Sequence, residues 1–138
     1  MNEQANVAVI QKIYAAFSAG DLQTILNNVT PDAEWINHGP ATIPYAGNFT
    51  GRIPAFFQAI ADSTTEGKVV ADKFIAQGDS VVSLGRYTAN VRSTGAKINT
   101  PLAHIFAVRN GKVTGWVGFS DSAAVAAAHT GTAASATK

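Results

Sequence analysis

The sequence predicts an α+β domain in which a curved antiparallel sheet, shaped like a cone, wraps over three N-terminal helices. Two observations carry this. Up to about residue 63 the apolar side chains recur at helical spacing; from Gly67 onward the period falls to two and β-branched residues accumulate. The pairs Gly78-Asp79, Thr94-Gly95 and Asn110-Gly111 then divide the second half into four strands, and Asn-Gly is a strong short-range hairpin signal. Consecutive hairpins make an antiparallel meander. Helices followed by sheet is the α+β order, and a sheet curling over helices encloses a conical cavity.

Val7, Ile10, Ile13, Tyr14 and Phe17 place an amphipathic first helix from about Glu3 to Ala19. Gly20 closes it, and Asp21 caps a short second helix carrying Leu22, Ile25 and Leu26. Thr30-Pro31-Asp32 is read as the break before a strand from Ala33 to His38. Residues 39–51 hold three glycines and two prolines and read as a loop, with a short strand near Asn48-Phe49-Thr50. Pro54 sits in the first turn of a third helix whose Ile53, Phe56, Phe57 and Ile60 form one stripe. The long strands are expected at about Lys68–Gln77, Ser80–Arg92, Ala96–Arg109 and Lys112–Ser120. Asp121 caps a short final helix; residues 1–128 then read as one domain and 129–138 as an Ala/Ser/Thr-rich tail, held by a partner subunit.

Composition narrows the function. Of the 138 residues 46% are hydrophobic and only 14% charged, which favours a homodimer that hides part of an apolar surface. A net charge of +1 leaves no footprint for nucleic acid or an anionic membrane. With no cysteine, disulfides, zinc-thiolate sites and thiol nucleophiles are excluded. The N-terminus lacks the pattern of a signal peptide and no apolar run could span a bilayer, so the expected location is cytoplasmic. Three scattered histidines without a carboxylate cluster call for no metal, and no phosphate-binding loop or nucleophile elbow calls for another chemistry.

The first strand mixes Trp35, Asn37 and His38 where a core strand carries aliphatics, which points to a small-molecule pocket. His104 alternates with Leu102, Phe106 and Val108 and shares their buried face, unless a one-residue bulge reverses it. Histidine both donates and accepts protons near neutral pH, so His104 and His38 are the candidate catalytic groups. Tyr14, Phe17, Trp35, Asn37, Tyr45, Phe57 and Trp116 are the candidate ligand-binding residues. Arg86 is placed outward, because an unpaired inward arginine is costly. His129, in the small-residue tail, is read as incidental.

Several segments together resemble the SnoaL-like, ketosteroid-isomerase-related branch of the nuclear-transport-factor-2-like superfamily. They are Ala19-Gly20-Asp21-Leu22, Asp32-Ala33-Glu34-Trp35, Pro44-Tyr45-Ala46-Gly47 with Gly51, His104-Ile105-Phe106, Asn110-Gly111-Lys112-Val113 and Phe119-Ser120-Asp121. The resemblance covers nearly the whole chain. It implies a cystatin-like roll, usually dimeric, with an apolar ligand in the cone and, in some members, cofactor-free isomerisation, aldol cyclisation or epoxide hydrolysis. The isomerase's carboxylate base falls on Asn37, its tyrosine on Ile13 beside Tyr14, and its neutral aspartic acid near Ala103. The cyclase histidine matches His104, while its aspartate lands on or beside Gly118. Of the hydrolase's Asp-Arg-Asp set, Arg86 and Asp72 are present.

Two functions follow as expectations. The first is a cofactor-independent enzyme that moves a proton on a small apolar carbonyl compound; the alternative is a domain of the same fold that binds such a ligand without chemistry. No cofactor is expected for either.

Overall fold

The structure, a computed structural model, describes residues 2–131. The extended tail, with the expectation that a partner holds it, lies outside the described residues from position 132 on.

Helix α1 (Glu3–Ala19) starts where the Asn2 side chain accepts the Ala5 N–H and stops at Gly20, left-handed at φ 72°. Helix α2 (Leu22–Asn27) opens with Asp21 accepting the Thr24 N–H. Strand β1 (Val29–Asn37) follows, then the two-residue strand β2 (Gly47–Asn48) and helix α3 (Ile53–Ser63) with proline in its first turn. Strands β3 (Thr64–Gln77), β4 (Ser80–Val91), β5 (Lys97–Arg109) and β6 (Lys112–Ser120) form the meander. Helix α4 (Ser122–Thr130), capped by Asp121, carries the chain past the expected domain edge at residue 128.

Two boundaries and one strand pairing differ from the sequence reading. Strand β1 begins at Val29, not Ala33. The ladder with β6 is interrupted between Val29 and Glu34, so Pro31 sits where its missing N–H removes no ladder bond. Strand β3 begins at Thr64 directly from α3, because Glu66 adopts φ 57° and the pairing to β4 skips from Thr65 to Lys68. The sheet, ordered β2-β1-β6-β5-β4-β3, also departs from wholly antiparallel: β1 runs parallel to β6.

Two ladder rungs build the concave face. One runs Asn37–Gly118–His104–Ser83–Phe74, the next Trp35–Trp116–Phe106–Val81–Ala76. Helices α1 and α3 cover this face with Ile10, Ile13, Tyr14, Ile53 and Phe56, which are buried. The opposite face carries a third rung of branched residues, Ile36–Val117–Ile105–Val82–Ile75. Arg86 points to solvent, as expected, and its guanidinium bonds Asn99.

Candidate functional site

The concave rungs and α1, α3 and α4 enclose a cavity of about 90 Å³. All nine candidate residues line it: Tyr14 and Phe17 from α1, Trp35, Asn37 and His38 from β1 and its end, Tyr45 from the loop, Phe57 from α3, His104 from β5 and Trp116 from β6. Among the described residues, its wall holds no aspartate, glutamate, lysine or arginine.

At the centre is a hydrogen-bonded chain. The Tyr14 hydroxyl lies 2.7 Å from His104 Nδ1 and 3.0 Å from Ser83 Oγ. Helix α1 supplies Tyr14 because residues 10, 13, 14 and 17 share the face that packs on the sheet. Ser83 and His104 are direct partners across β4 and β5. No bulge interrupts β5 before Ala107, so His104 keeps the face of Phe106. Its ring stands edge-on to Trp116 at 5.0 Å and to Phe106 at 6.0 Å.

Burial sets the protonation states. It pushes His104 down to about 3 and raises the Tyr14 phenol well above its ordinary range, the Ser83 hydrogen bond opposing that rise only in part. Both groups are neutral at pH 7. Because Tyr14 has one proton for two neighbours, the chain has two arrangements. Either Tyr14 donates to Ser83 and accepts Nδ1–H, leaving Nε2 a bare acceptor, or it donates to Nδ1 and Nε2–H becomes a donor. No protein group among the described residues bonds Nε2, so it is available to a ligand.

The depressed histidine gives a pH signature. The unfolded imidazole binds its proton below about 6.5, the folded one only below about 3. Between these values the folded state holds fewer protons, so stability rises with pH through the window and is lost as pH falls from 6.5 toward 3. The slope from one such group is at most about 1.4 kcal/mol per pH unit. Urea unfolding of the wild type and His104→Phe at a series of pH values should show the wild type losing stability more steeply on acidification. Parallel curves would mean that His104 is not buried as described.

His38 lies elsewhere on the same wall. It is exposed, its ring is stacked on Phe119 at 4.7 Å, and its backbone N–H donates to Gly118 O. With the exposed Phe119 beside it, this end of the cavity meets solvent. Asn37 donates from Nδ2 to Tyr45 O and so ties the loop to β1. It shares a ladder rung with His104, two strand spacings or about 10 Å away.

Gly118, on the same rung, has no room for a side chain. A Cβ there would meet the Trp116 indole at 2.5 and 2.6 Å and Asn37 Oδ1 at 3.0 Å. The space beside Gly118 is occupied by the Trp116 ring, itself 4.9 Å from Trp35.

Sequence reasoning missed Ser83 and misjudged His129. Far from incidental, His129 Nε2 lies 2.9 Å from the Tyr45 hydroxyl, which is 3.5 Å from the Tyr87 hydroxyl. Helix α4 is thereby pinned over the loop. Tyr87 and Phe56, also unassigned from sequence, complete the aromatic wall. The period-two run Val81, Ser83, Gly85, Tyr87 was the available signal for Ser83 and Tyr87. No helix among the described residues is long and apolar enough to cross a membrane.

Comparison with known proteins agrees with this architecture. A structure of an NTF2-like protein from Burkholderia pseudomallei, of unknown function, superposes with a TM-score of 0.84 at 23% identity, covering 94% of this chain and 99% of that one. A putative SnoaL-like polyketide cyclase from Jannaschia gives 0.77 at 22% identity, with 93% of each chain covered. TerC, co-crystallised with polyporic acid, gives 0.82 at 25% identity, covering 91% of this chain and 98% of its own. No curated protein matches the sequence. The SnoaL-like domain family matches residues 10–116, and with the helix-covered, curved sheet this places the chain in that family.

Proposed function

We propose that the protein binds a small, largely apolar carbonyl compound and moves a proton on it without a cofactor. The observation that carries this reading is the Ser83–Tyr14–His104 chain on the wall of an apolar cavity. A histidine kept neutral is a poor base but a good partner for an oxygen that gains negative charge. With Tyr14 donating to Nδ1, Nε2–H donates to the carbonyl oxygen and stabilises an enolate. His38, at the solvent end of the same cavity, takes the α-proton and exchanges it with water. TerC, crystallised with polyporic acid, adds weight to the small-molecule reading.

A second reading is a binding domain without chemistry. It is favoured by the absence, among the described residues, of any carboxylate from the cavity wall, Asn37 and Gly118 standing where the resemblance implies one. Deuterium incorporation next to the carbonyl of 2-pentanone in D2O separates the two. The enzyme reading expects faster exchange with the protein than with buffer, lost in His38→Ala. Binding without acceleration selects the second reading, and no binding contradicts both.

The proposal also takes the protein to be a cytoplasmic homodimer packed sheet face to sheet face. The exposed Val70, Ile75, Leu84 and Ile105 on the outer face of the sheet support the pairing, and a one-chain mass in light scattering would count against it.

A further inference from the structure

The cavity is bounded on one side by a thin aromatic partition, and a second space lies beyond it. A groove of about 210 Å³ runs between the end of α1, α2, α3 and the start of β3. Phe17, Phe57 and Ile60 line both the groove and the inner cavity. The Phe17 and Phe57 rings meet at 6.3 Å with their planes tilted by 52°, and both are only half-buried. Gly67 faces the Phe17 ring. A Cβ there would stand 3.2 Å from Cζ, so glycine leaves that ring room it would otherwise lose.

The groove's polar groups are already engaged. The Asp21 carboxylate caps α2 through Thr24, the Thr64 hydroxyl bonds Ile60 O, and the Gln58 amide bonds Asp62. What remains is apolar: Leu22, Ile25, Ala61 and the three partition side chains. An occupant of this groove is therefore held by burial of carbon surface, not by charge. The inner cavity, by contrast, holds the oxygen-binding groups and at about 90 Å³ has room only for a small head. Together the two spaces reach about 300 Å³, the lower end of ordinary ligand sites.

We propose that the groove is a second compartment of the binding site, joined to the cavity by displacement of Phe17 and Phe57. Its occupant is the unbranched apolar tail of a ligand whose carbonyl or hydroxyl oxygen is held at His104. The inference rests on the proposed reading of the inner cavity and adds the shape of the ligand: a compact oxygen-bearing head and a linear hydrocarbon tail.

Methyl ketones from 2-butanone to 2-decanone, titrated calorimetrically, test it. In the wild type, affinity should keep rising by about three- to fourfold per methylene beyond 2-pentanone. Ala61→Phe places a ring in the groove from an exposed position on α3. It should leave 2-butanone binding unchanged and flatten the series beyond 2-pentanone, and Gly67→Ala, which restricts Phe17, should flatten it as well. A wild-type series that levels off at 2-pentanone overturns the second compartment, as does a rise that survives Ala61→Phe. Failure of the inner-cavity reading looks different: 2-butanone and 2-pentanone then do not bind the wild type, or bind His104→Phe equally well.

Discussion

Gly85→Ala is expected to be the most damaging single substitution in the sheet. A Cβ at this position would lie 2.0 Å from Val70 O and 2.9 Å from both Val70 C and Ala71 Cα. These are backbone atoms of β3, so no side-chain rotation relieves the overlap. Gly85 pairs with Ala71 next to the register shift between Ala71 and Lys73. The missing side chain is what allows the two backbones to approach this closely. Separating the strands should cost on the order of 3–5 kcal/mol, a large part of a domain's typical stability of about 5–15 kcal/mol. Gly115→Ala is the control, since its Cβ would meet nothing closer than Ala107 Cβ at 3.6 Å. Urea midpoints should fall steeply for Gly85→Ala and little for Gly115→Ala. Equal, small losses would show that β3 is not held this close to β4.

His104→Phe is expected to have the largest effect on whatever the cavity binds. Phenylalanine roughly keeps the volume and the edge-on contacts with Trp116 and Phe106 while removing both nitrogens. A ligand oxygen left buried without its partner costs about 1–3 kcal/mol, or about 5- to 150-fold in affinity. Tyr14→Phe should cost less in binding, because Tyr14 acts on the ligand through the imidazole. Its removal leaves Nδ1 and Ser83 without a shared partner. Titration of both variants with 2-pentanone checks the order. Undiminished binding in His104→Phe together with a lower thermal midpoint would reduce His104 to a packing residue.

The features legible in the sequence were those encoded locally. Gly20 closes α1 and Asp21 opens α2 because capping acts within a few residues, and Asn110-Gly111, both at positive φ, fix the β5–β6 turn. The period-two pattern assigned His104 to the buried face of Leu102 and Phe106, and the structure sets it on the cavity wall with Trp35 and Trp116. What escaped depended on distance along the chain. Ser83 is a polar residue in a strand until Tyr14, 69 positions away, packs over it. His129 looked idle because α4 has no marked apolar stripe; its role comes from Tyr45, 84 positions away. The parallel pairing of β1 with β6 was hidden for the same reason. Hairpin turns dictate the register of neighbouring strands, but no turn joins residue 37 to residue 112.

The central claim is that a neutral His104 in the cavity bonds the oxygen of a bound carbonyl compound. The infrared carbonyl stretch of 2-pentanone bound to the protein tests this most directly, because a hydrogen bond from Nε2 weakens the C=O bond. The account predicts a band at lower wavenumber than in an alkane solvent, returning toward the alkane position in His104→Phe. A wild-type band at the alkane position, or a shift that persists in His104→Phe, would contradict it.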